Sequence, residues 1–408
     1  MLYASALPFS LLKNPFFRRF CWRLSNSKVA GYVPPTYNRM RTTLLEQEKA
    51  HINVLLQPFR DSWKKRGVSL CSDGWGDRQK RPLINVMAAS GGNSMFIKSF
   101  DTSGNIKDFD YVASLFLNVI DQEGADKVVQ IITDNAANFK AAGLSIEAKY
   151  PHIFWTPCVV HSLNLALKSI CEPTVNSNHF ENCKWISTLI SDCDEITMFI
   201  LNHGKALTLF QKHSNHMLVK TAETHFASHV IMAQRLLLVK TSLEKTVLDP
   251  NWKTFRKTNL EFKADHVKEC VISDRWWDKL EYFIGFTSPI YNMIRLGDTD
   301  TPCLHLIYDM WDTMIEEVRE KVFKEEGVDL KMGESSFFNG IQHILEARWN
   351  KSNTPLHCMA HSLVPKYYIQ TWLESGSGIV PRVAPNEARR FLLIGPSALK
   401  KCFQIQMI

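Results

Sequence analysis

The chain has 408 residues, of which 45% are hydrophobic and 22% are charged, which is ordinary for a globular protein with room for two or three domains. Its apolar runs are too short for a membrane span, and its ten cysteines include no Cys-x-x-Cys pair, which argues against a zinc ribbon and a secreted disulfide framework and predicts a reduced, intracellular protein. The net charge of +7 lies before residue 46, where there is no acid and the basic residues are Lys13, Arg18, Arg19, Arg23, Lys28, Arg39 and Arg41.

A long helix is predicted after this basic front, from Arg39 to Arg66. Its apolar residues form one stripe, for which core packing is the expected role: Leu44, Leu45, His51, Val54, Leu55, Phe59 and Trp63. The helix ends on Lys64, Lys65 and Arg66, where cations favour the negative end of the helix dipole.

An alternation of strands and helices follows. The predicted strands are apolar runs over residues 68–71, 83–87, 95–99, 127–132 and 153–155. The predicted helices have apolar residues at helical spacing and cover residues 111–120, 138–149 and 157–170. Between the second and third strands, Gly91 and Gly92 supply the positive φ that a tight hairpin needs. This order of elements is that of a ribonuclease H-like mixed α/β sheet.

Two of the predicted strands end at an aspartate, Asp73 and Asp134. If the first and fourth strands are neighbours, as that fold places them, the two carboxylates meet at one end of the sheet. Paired carboxylates suit Mg²⁺, and a metal pair can clamp both oxygens of a phosphoryl displacement. Simpler interpretations stay open, since Asp134 before a helix is typical of an N-cap and Asp73-Gly74 of a turn. The consistent topology favours the metal interpretation.

Three long phrases resemble the hAT-type transposases, specifically the plant group with a domain of unknown function at the front of the transposase core. They are SLCSDGWGDRQKRPLINVMAAS, VVQIITDNAANFKAAG and HIFWTPCVVHSLNLAL. The resemblance implies a ribonuclease H-like fold and a nuclear, DNA-associated protein. It also implies that Asp73 and Asp134 are the first two members of an Asp-Asp-Glu site that cuts and joins DNA with Mg²⁺ or Mn²⁺.

The last phrase contains Cys158 and His161, three residues apart on a helix predicted to start at Thr156-Pro157. They are half of a tetrahedral zinc site, but no second pair has a convincing spacing, so zinc is not predicted here. In the resembling family a Cys-x-x-His pair lies close to the active site. We therefore expect Cys158 and His161 near the metal without a ligand role.

Residues 171–342 are predicted to be helical, near 185–210, 227–246, 276–296 and 302–323, and resemble the insertion domain of these transposases. Within this block His225 stands where the family has an arginine. A DNA contact there would be weak, because histidine is mostly neutral at pH 7. Four tryptophans could stack on unpaired bases, although helix packing is the favoured interpretation: Trp252, Trp276, Trp277 and Trp311.

The segment from Pro355 to Tyr367 resembles the returning core helix of the family. The family's catalytic glutamate and dimerisation region come much further downstream, and no third acid stands in a recognisable motif. The remaining candidates for it are Glu346, Glu374 and Glu387. A zinc finger of the BED type is also missing from the front.

The predicted division is 1–66 basic segment and lead-in helix, 67–170 first core part, 171–342 helical insertion, 343–372 returning helix and 373–408 tail.

These observations predict a transposon-derived, domesticated hAT transposase-like protein without strand-transfer activity. Nucleic-acid binding is predicted through four residues: His225, Lys64, Lys65 and Arg66. Two alternatives stay open, namely an active Mg²⁺-dependent transposase or nuclease with an unidentified third acid, and a protein-interaction module on a degenerate core. DNA is the expected partner and a membrane is not; a protein partner or homo-oligomer stays open.

An arginine-rich, acid-free front is also typical of a mitochondrial transit peptide. We discount that because residues 7–9, 14–17 and 32–37 resemble family segments.

Overall fold

The computed structural model describes residues 7–27, 31–77, 79–221, 226–374, 382–388 and 392. The chain divides into two compact units, Met1–Ser62 and Trp63–Ile408. Each unit is described by itself below.

The first unit consists of short helices and most of one long helix. A 3-10 turn at Phe9–Lys13 precedes α1 at Pro15–Asn26, whose first turn is capped by the Asn14 side chain accepting from the Phe16 and Phe17 amides. The single turn α2 at Tyr37–Arg39 and a π-helical stretch at Met40–Leu44 lead into α3, Leu45–Arg66.

The predicted apolar stripe of α3 is largely exposed, so the expectation of core packing is wrong for most of it. The exposed fractions of Leu45, Val54 and Leu55 are 46%, 71% and 64%. The other described elements of this unit are too short to cover a helix of 22 residues. Trp63, which belongs to the second unit, is buried.

The second unit is built on a five-stranded mixed sheet in the order β3-β2-β1-β4-β5. Its strands are β1 Val68–Gly76, β2 Pro82–Ser90, β3 Asn93–Asp101, β4 Val128–Thr133 and β5 Phe154–Pro157. β1, β2 and β3 pair antiparallel, whereas β4 runs parallel to both β1 and β5. The hairpin is as predicted, because Gly91 and Gly92 both have positive φ, 59° and 79°.

Two strands are longer than predicted. β1 does not stop at Asp73 but continues to Gly76 along β2. β5 includes Thr156 and Pro157, which were expected to start the next helix. Pro157 pairs with Thr133, and the Cys158 amide then donates to the Thr133 carbonyl at 2.7 Å. This added ladder bond delays the helix to Val159.

Three helices accompany the strands, as predicted: α4 Phe109–Glu123, α5 Ala137–Lys149 and α6 Val159–Cys171. α4 buries the predicted stripe of Val112, Phe116, Val119 and Ile120. Asp108 caps α4 by accepting from the Tyr111 amide at 2.9 Å.

The remaining described chain is helical, as predicted. Its helices are α7 Phe180–Asn202, α8 Gly204–His213, α9 Ser228–Leu238, α10 Lys240–Leu248, α11 Glu261–Ile272, α12 Asp274–Gly297, α13 Ile307–Glu326, α14 Ser336–Ser352, α15 Pro355–Ser362 and α16 Gln370–Glu374. One apolar cluster runs from Val160 on α6 to Trp349 on α14. The four tryptophans considered for base stacking are all buried in it, which confirms the packing interpretation.

This continuous cluster bears on the predicted domain division. α6, assigned to the first core part, shares its apolar contacts with the helical block, and the predicted boundary at residue 342 falls inside α14. Among the described helices, none combines the length and apolar character needed to cross a membrane.

Candidate functional site

The two predicted aspartates lie side by side at the carboxyl end of the parallel strands. β1 and β4 are in register through Leu70 with Ile131 and Cys71 with Ile132. Asp73 and Asp134 each lie two residues beyond the last of these paired residues, and the charge of Asp134 acts on the Asp73 carboxyl. Neighbouring strands are about 4.8 Å apart, so the two backbones are close enough for the carboxylates to share a ligand.

The simpler interpretations of these aspartates do not describe the structure. α5 begins at Ala137 with Ala136 at its N-cap, so Asp134 is not the cap; its Oδ1 instead accepts from the Ala136 amide at 3.0 Å within the connecting turn. Asp73 pairs with Asn85 inside β1 and is not part of a turn. Neither the turn after β4 nor the pairing of β1 with β2 uses all the carboxylate oxygens of these two residues.

Electrostatics links the aspartates to the Cys-x-x-His pair. Burial raises the pKa of the Asp73 carboxyl, and the negative charge of Asp134 raises it further. His161 and the backbone N–H of Gly74 oppose these two effects. The direction is upward overall, so the ionised form of Asp73 is less favoured here than that of a free aspartate, and nearby positive charge would oppose the shift.

Cys158 and His161 stand where β5 passes into α6. Burial raises the pKa of the Cys158 thiol, the His161 and Val160 amides oppose the rise, and the charges of Asp73 and Asp298 add to it. The thiol is therefore neutral near pH 7 in the metal-free chain. The His161 ring contacts the edge of Phe226, with ring centroids 6.4 Å apart. The structure thus brings all four predicted residues into one neighbourhood.

Asp298 is an acid that the sequence did not single out. It directly follows Gly297, the last residue of α12. The end of α12 packs closely on the start of α6: a Cβ added at Gly297 would lie 2.9 Å from a methyl carbon of Val160. No local pattern marks Asp298, so only the packing of α12 on α6 identifies it. Its charge acts on Cys158, but it is not among the groups that shift the pKa of Asp73.

The predicted third acids are all exposed. Glu346 on α14 accepts a hydrogen bond from Gln342 at 2.8 Å, and Glu374 on α16 accepts one from Gln370 at 2.6 Å. Glu387 lies in the short described segment 382–388. In the part of the chain that the structure describes, none of these three contributes to the pKa shift of Asp73.

The predicted nucleic-acid-binding residues are not gathered at this site. Lys64, Lys65 and Arg66 are exposed in the last turn of α3, immediately before β1. Asp73 is seven residues beyond Arg66, or about 23 Å along an extended strand, so the basic turn lies at the other end of β1. His225 lies outside the described residues.

Comparison with known families covers this region. A family model described as Domain of unknown function (DUF659) matches residues 35–196. The match includes all five strands, Asp73, Asp134, Cys158 and His161. No curated protein matches the chain.

Proposed function

We propose that the chain is an hAT transposase-like protein with a ribonuclease H-like sheet, in which Asp73 and Asp134 bind one divalent ion without supporting strand transfer. The matching family is typical of plant hAT-like transposases, which supports the proposal. The strand order, with three antiparallel strands followed by two parallel ones, agrees with the fold. A nuclear location and a DNA partner belong to the same proposal.

One observation carries this function: two carboxylates that act on each other electrostatically, each two residues beyond the parallel pairing of β1 with β4. Oxygen donors of this kind suit Mg²⁺ or Mn²⁺, which protein sites often hold with one or two carboxylates. The raised pKa of Asp73 fits the same role, because a cation would compensate for the burial of its carboxylate and for the smaller repulsion from Asp134. Such an ion would supply charge neutralisation to phosphate oxygens. Asp73 and Asp134 would hold the ion, and His161 on α6 would help to orient the Asp73 carboxylate.

The first test compares ion binding with stability in Asp73→Asn. Because folding raises the pKa of Asp73, its ionisation costs stability as the pH rises through the raised value, and this cost is absent below the ordinary pKa of 3.8. Asparagine is uncharged throughout, so Asp73→Asn should raise the melting temperature at pH 7 without divalent ions, and the gain should vanish at low pH. Added Mn²⁺ should stabilise the parent but not the variant.

Asp77→Asn is the matched control, four residues away. Asp77 accepts from the Arg81 and Gln79 amides and pairs with the Arg81 guanidinium, and these contacts lower its pKa. Its ionised form is therefore favoured in the fold, so Asp77→Asn should lower the melting temperature at pH 7 and leave the Mn²⁺ effect intact. Equal Mn²⁺ stabilisation of the parent and of Asp73→Asn would refute the ion site.

The position of Asp298 favours a second candidate, an active metal-dependent nuclease. The charges of Asp298 and Asp73 both act on Cys158, so Asp298 is the described acid outside the aspartate pair that this candidate takes as the third ligand. This candidate requires that Asp298→Asn abolish a cleavage activity that the parent possesses.

DNA binding is expected to be weak and strongly dependent on salt. Phosphate contacts release counterions and carry no base readout, so the affinity should fall steeply as the salt concentration rises. The exposed arginines Arg18, Arg19 and Arg23 of α1 are the described candidates in the basic front. Replacing all three by glutamine should reduce the slope of log affinity against log salt by about 0.9 for each phosphate that is no longer neutralised. Fluorescence anisotropy with a short labelled duplex measures this.

The control carries the same change in net charge at three exposed lysines of the helical block, Lys205, Lys212 and Lys263. Glutamine at those positions should leave the salt slope unchanged. His225→Arg should strengthen binding, because arginine is permanently charged and forks onto phosphate. Affinity that is independent of salt, or an equal weakening of binding in the two triple variants, would rule out DNA binding through the basic front.

A further inference from the structure

A second group of side chains with metal-binding chemistry lies on helices that do not carry the sheet aspartates. Asp192 stands on α7, and His266 and Cys270 stand on α11. One ligand atom from each of the three lies within 4.8 Å of the other two. Glu195, one turn after Asp192, brings its Oε2 to 3.6 Å from His266 Nε2.

The spacing of these residues fits two helices that face each other. His266 and Cys270 are four apart on α11, and Asp192 and Glu195 are three apart on α7, so each pair shares one helix face. The pattern is readable in the sequence as Asp-x-x-Glu and His-x-x-x-Cys. Sequence reasoning missed it because the two halves are more than 70 residues apart.

The distances are close to those of a tetrahedral zinc site. His266 Nε2 lies 3.2 Å from Asp192 Oδ1 and 3.8 Å from Cys270 Sγ. Zinc bonds of about 2.1 Å to nitrogen and oxygen and about 2.3 Å to sulfur give tetrahedral edges of roughly 3.4 Å and 3.6 Å. These two edges therefore differ from tetrahedral values by only about 0.2 Å, and the third edge, between Asp192 and Cys270, is no longer than 4.8 Å.

A single hydrogen bond does not account for the cluster. A neutral imidazole Nε2 can donate one proton, yet a sulfur and oxygens from two carboxylates converge on this one atom of His266. The charges that act on Cys270 are all negative and come from Asp192, Glu195 and Glu269. A divalent cation would satisfy these donors together.

The surroundings resemble a supported metal site. Trp276 Nε1 donates to Asp192 Oδ2 at 3.0 Å, which leaves Oδ1 directed at His266. Cys270 is buried, whereas 34% of the His266 side chain and 54% of the Glu195 side chain remain exposed. The donors are therefore held in place and still reachable from solvent.

We propose that Asp192, His266 and Cys270, with Glu195 as the fourth ligand, bind one Zn²⁺ ion that ties α7 to α11. Four protein ligands leave no open position, so this site is structural and not catalytic. It is independent of the function proposed for Asp73 and Asp134.

The experiment titrates the full-length chain, freed of metal by a chelator, with Co²⁺ and then with Zn²⁺. The expected result is one tetrahedral Co²⁺ per chain, counted from its strong visible absorption and its thiolate-to-cobalt charge-transfer band, both of which disappear when Zn²⁺ displaces it; Co²⁺ held by the oxygen ligands Asp73 and Asp134 would give neither signal. Zn²⁺ should also raise the melting temperature. A pale octahedral Co²⁺ spectrum without the charge-transfer band in the parent would overturn the proposal, whether or not any variant folds.

Variants assign the site. Cys270→Ser should remove the charge-transfer band, and His266→Ala should weaken Zn²⁺ binding by at least about 100-fold, since even changes in outer contacts cost 10–100-fold. Trp276→Phe keeps an aromatic ring in the core but removes the outer contact to Asp192, and should cost about 10-fold in Zn²⁺ affinity. The controls Cys303→Ser, which changes a cysteine outside the cluster, and Asp73→Asn, which changes the other site, should keep the full Co²⁺ spectrum. Loss of the spectrum in Cys303→Ser, or its retention in Cys270→Ser, would contradict the assignment.

Discussion

The purified chain is expected to leave supercoiled and hairpin DNA uncut in the presence of Mg²⁺ or Mn²⁺. Two carboxylates can hold one ion, but a second ion that stabilises the attacking and leaving oxygens normally needs another acidic ligand. Within the described residues, Asp134 is the sole acid among the groups that shift the pKa of Asp73. A misplacement of about 1 Å can cost roughly 10²-fold in rate, so a missing ligand should cost far more.

The assay needs Asp73→Ala and Asp134→Ala beside the parent. Cleavage that persists in both variants would come from a contaminating nuclease and would leave the expected inactivity standing. Cleavage by the parent that both variants abolish would contradict it and would support the active-enzyme candidate. The third acid would then be identified by testing Asp298→Asn, Glu346→Gln, Glu374→Gln and Glu387→Gln one at a time.

Local pattern was enough to predict the sheet. The alternating and β-branched runs predicted all five strands, and the Gly91-Gly92 pair predicted the hairpin between β2 and β3. The strands and the hairpin depend on side-chain period and backbone conformation, which the sequence expresses directly. The expected closeness of Asp73 and Asp134 depended in addition on the strand order of the ribonuclease H-like fold, and β1 does pair parallel with β4.

Features that depend on distant packing were not predicted. Asp298 reaches the site only because α12 ends against α6, and no residue near it marks that contact. The Asp192 and His266 pair likewise depends on α7 lying beside α11. The prediction that the apolar stripe of α3 packs in a core was wrong for the reverse reason. Helical spacing predicts an apolar face, but it does not show whether another element covers that face.

The start of α6 shows how tertiary context overrides a capping signal. Thr156-Pro157 has the residue types of a helix start, yet β4 offers the Thr133 carbonyl to the Cys158 amide, and the ladder continues instead. The consequence is functional, because Cys158 becomes the N-cap residue of α6 and His161 lies in the first turn. The strand β5 therefore places both residues at the same sheet edge as Asp134.

Gly143→Ala is expected to destabilise the fold by about 1–3 kcal/mol, the usual cost of overpacking a core. Gly143 lies in α5 against β5, and an added Cβ there would overlap the indole ring of Trp155. Trp155 is buried, and its Nε1 donates to Thr133 Oγ1 at 3.0 Å, so the ring has little room to move away. Because Thr133 precedes Asp134, the strain should also weaken Mn²⁺ binding at the sheet aspartates.

Gly285→Ala provides the matched control, since Gly285 is also within a helix but an added Cβ there meets no atom within 4 Å. Alanine has the better helix propensity, so this variant should be more stable by roughly 0.5–1 kcal/mol. Denaturant unfolding of both variants measures the contrast in sign. In a double-mutant cycle, Trp155→Leu should reduce the cost of Gly143→Ala, because the smaller side chain leaves room for the methyl group. Equal effects of the two glycine substitutions, or costs that simply add in the double variant, would show that α5 and β5 are not in the close contact on which Asp134 depends.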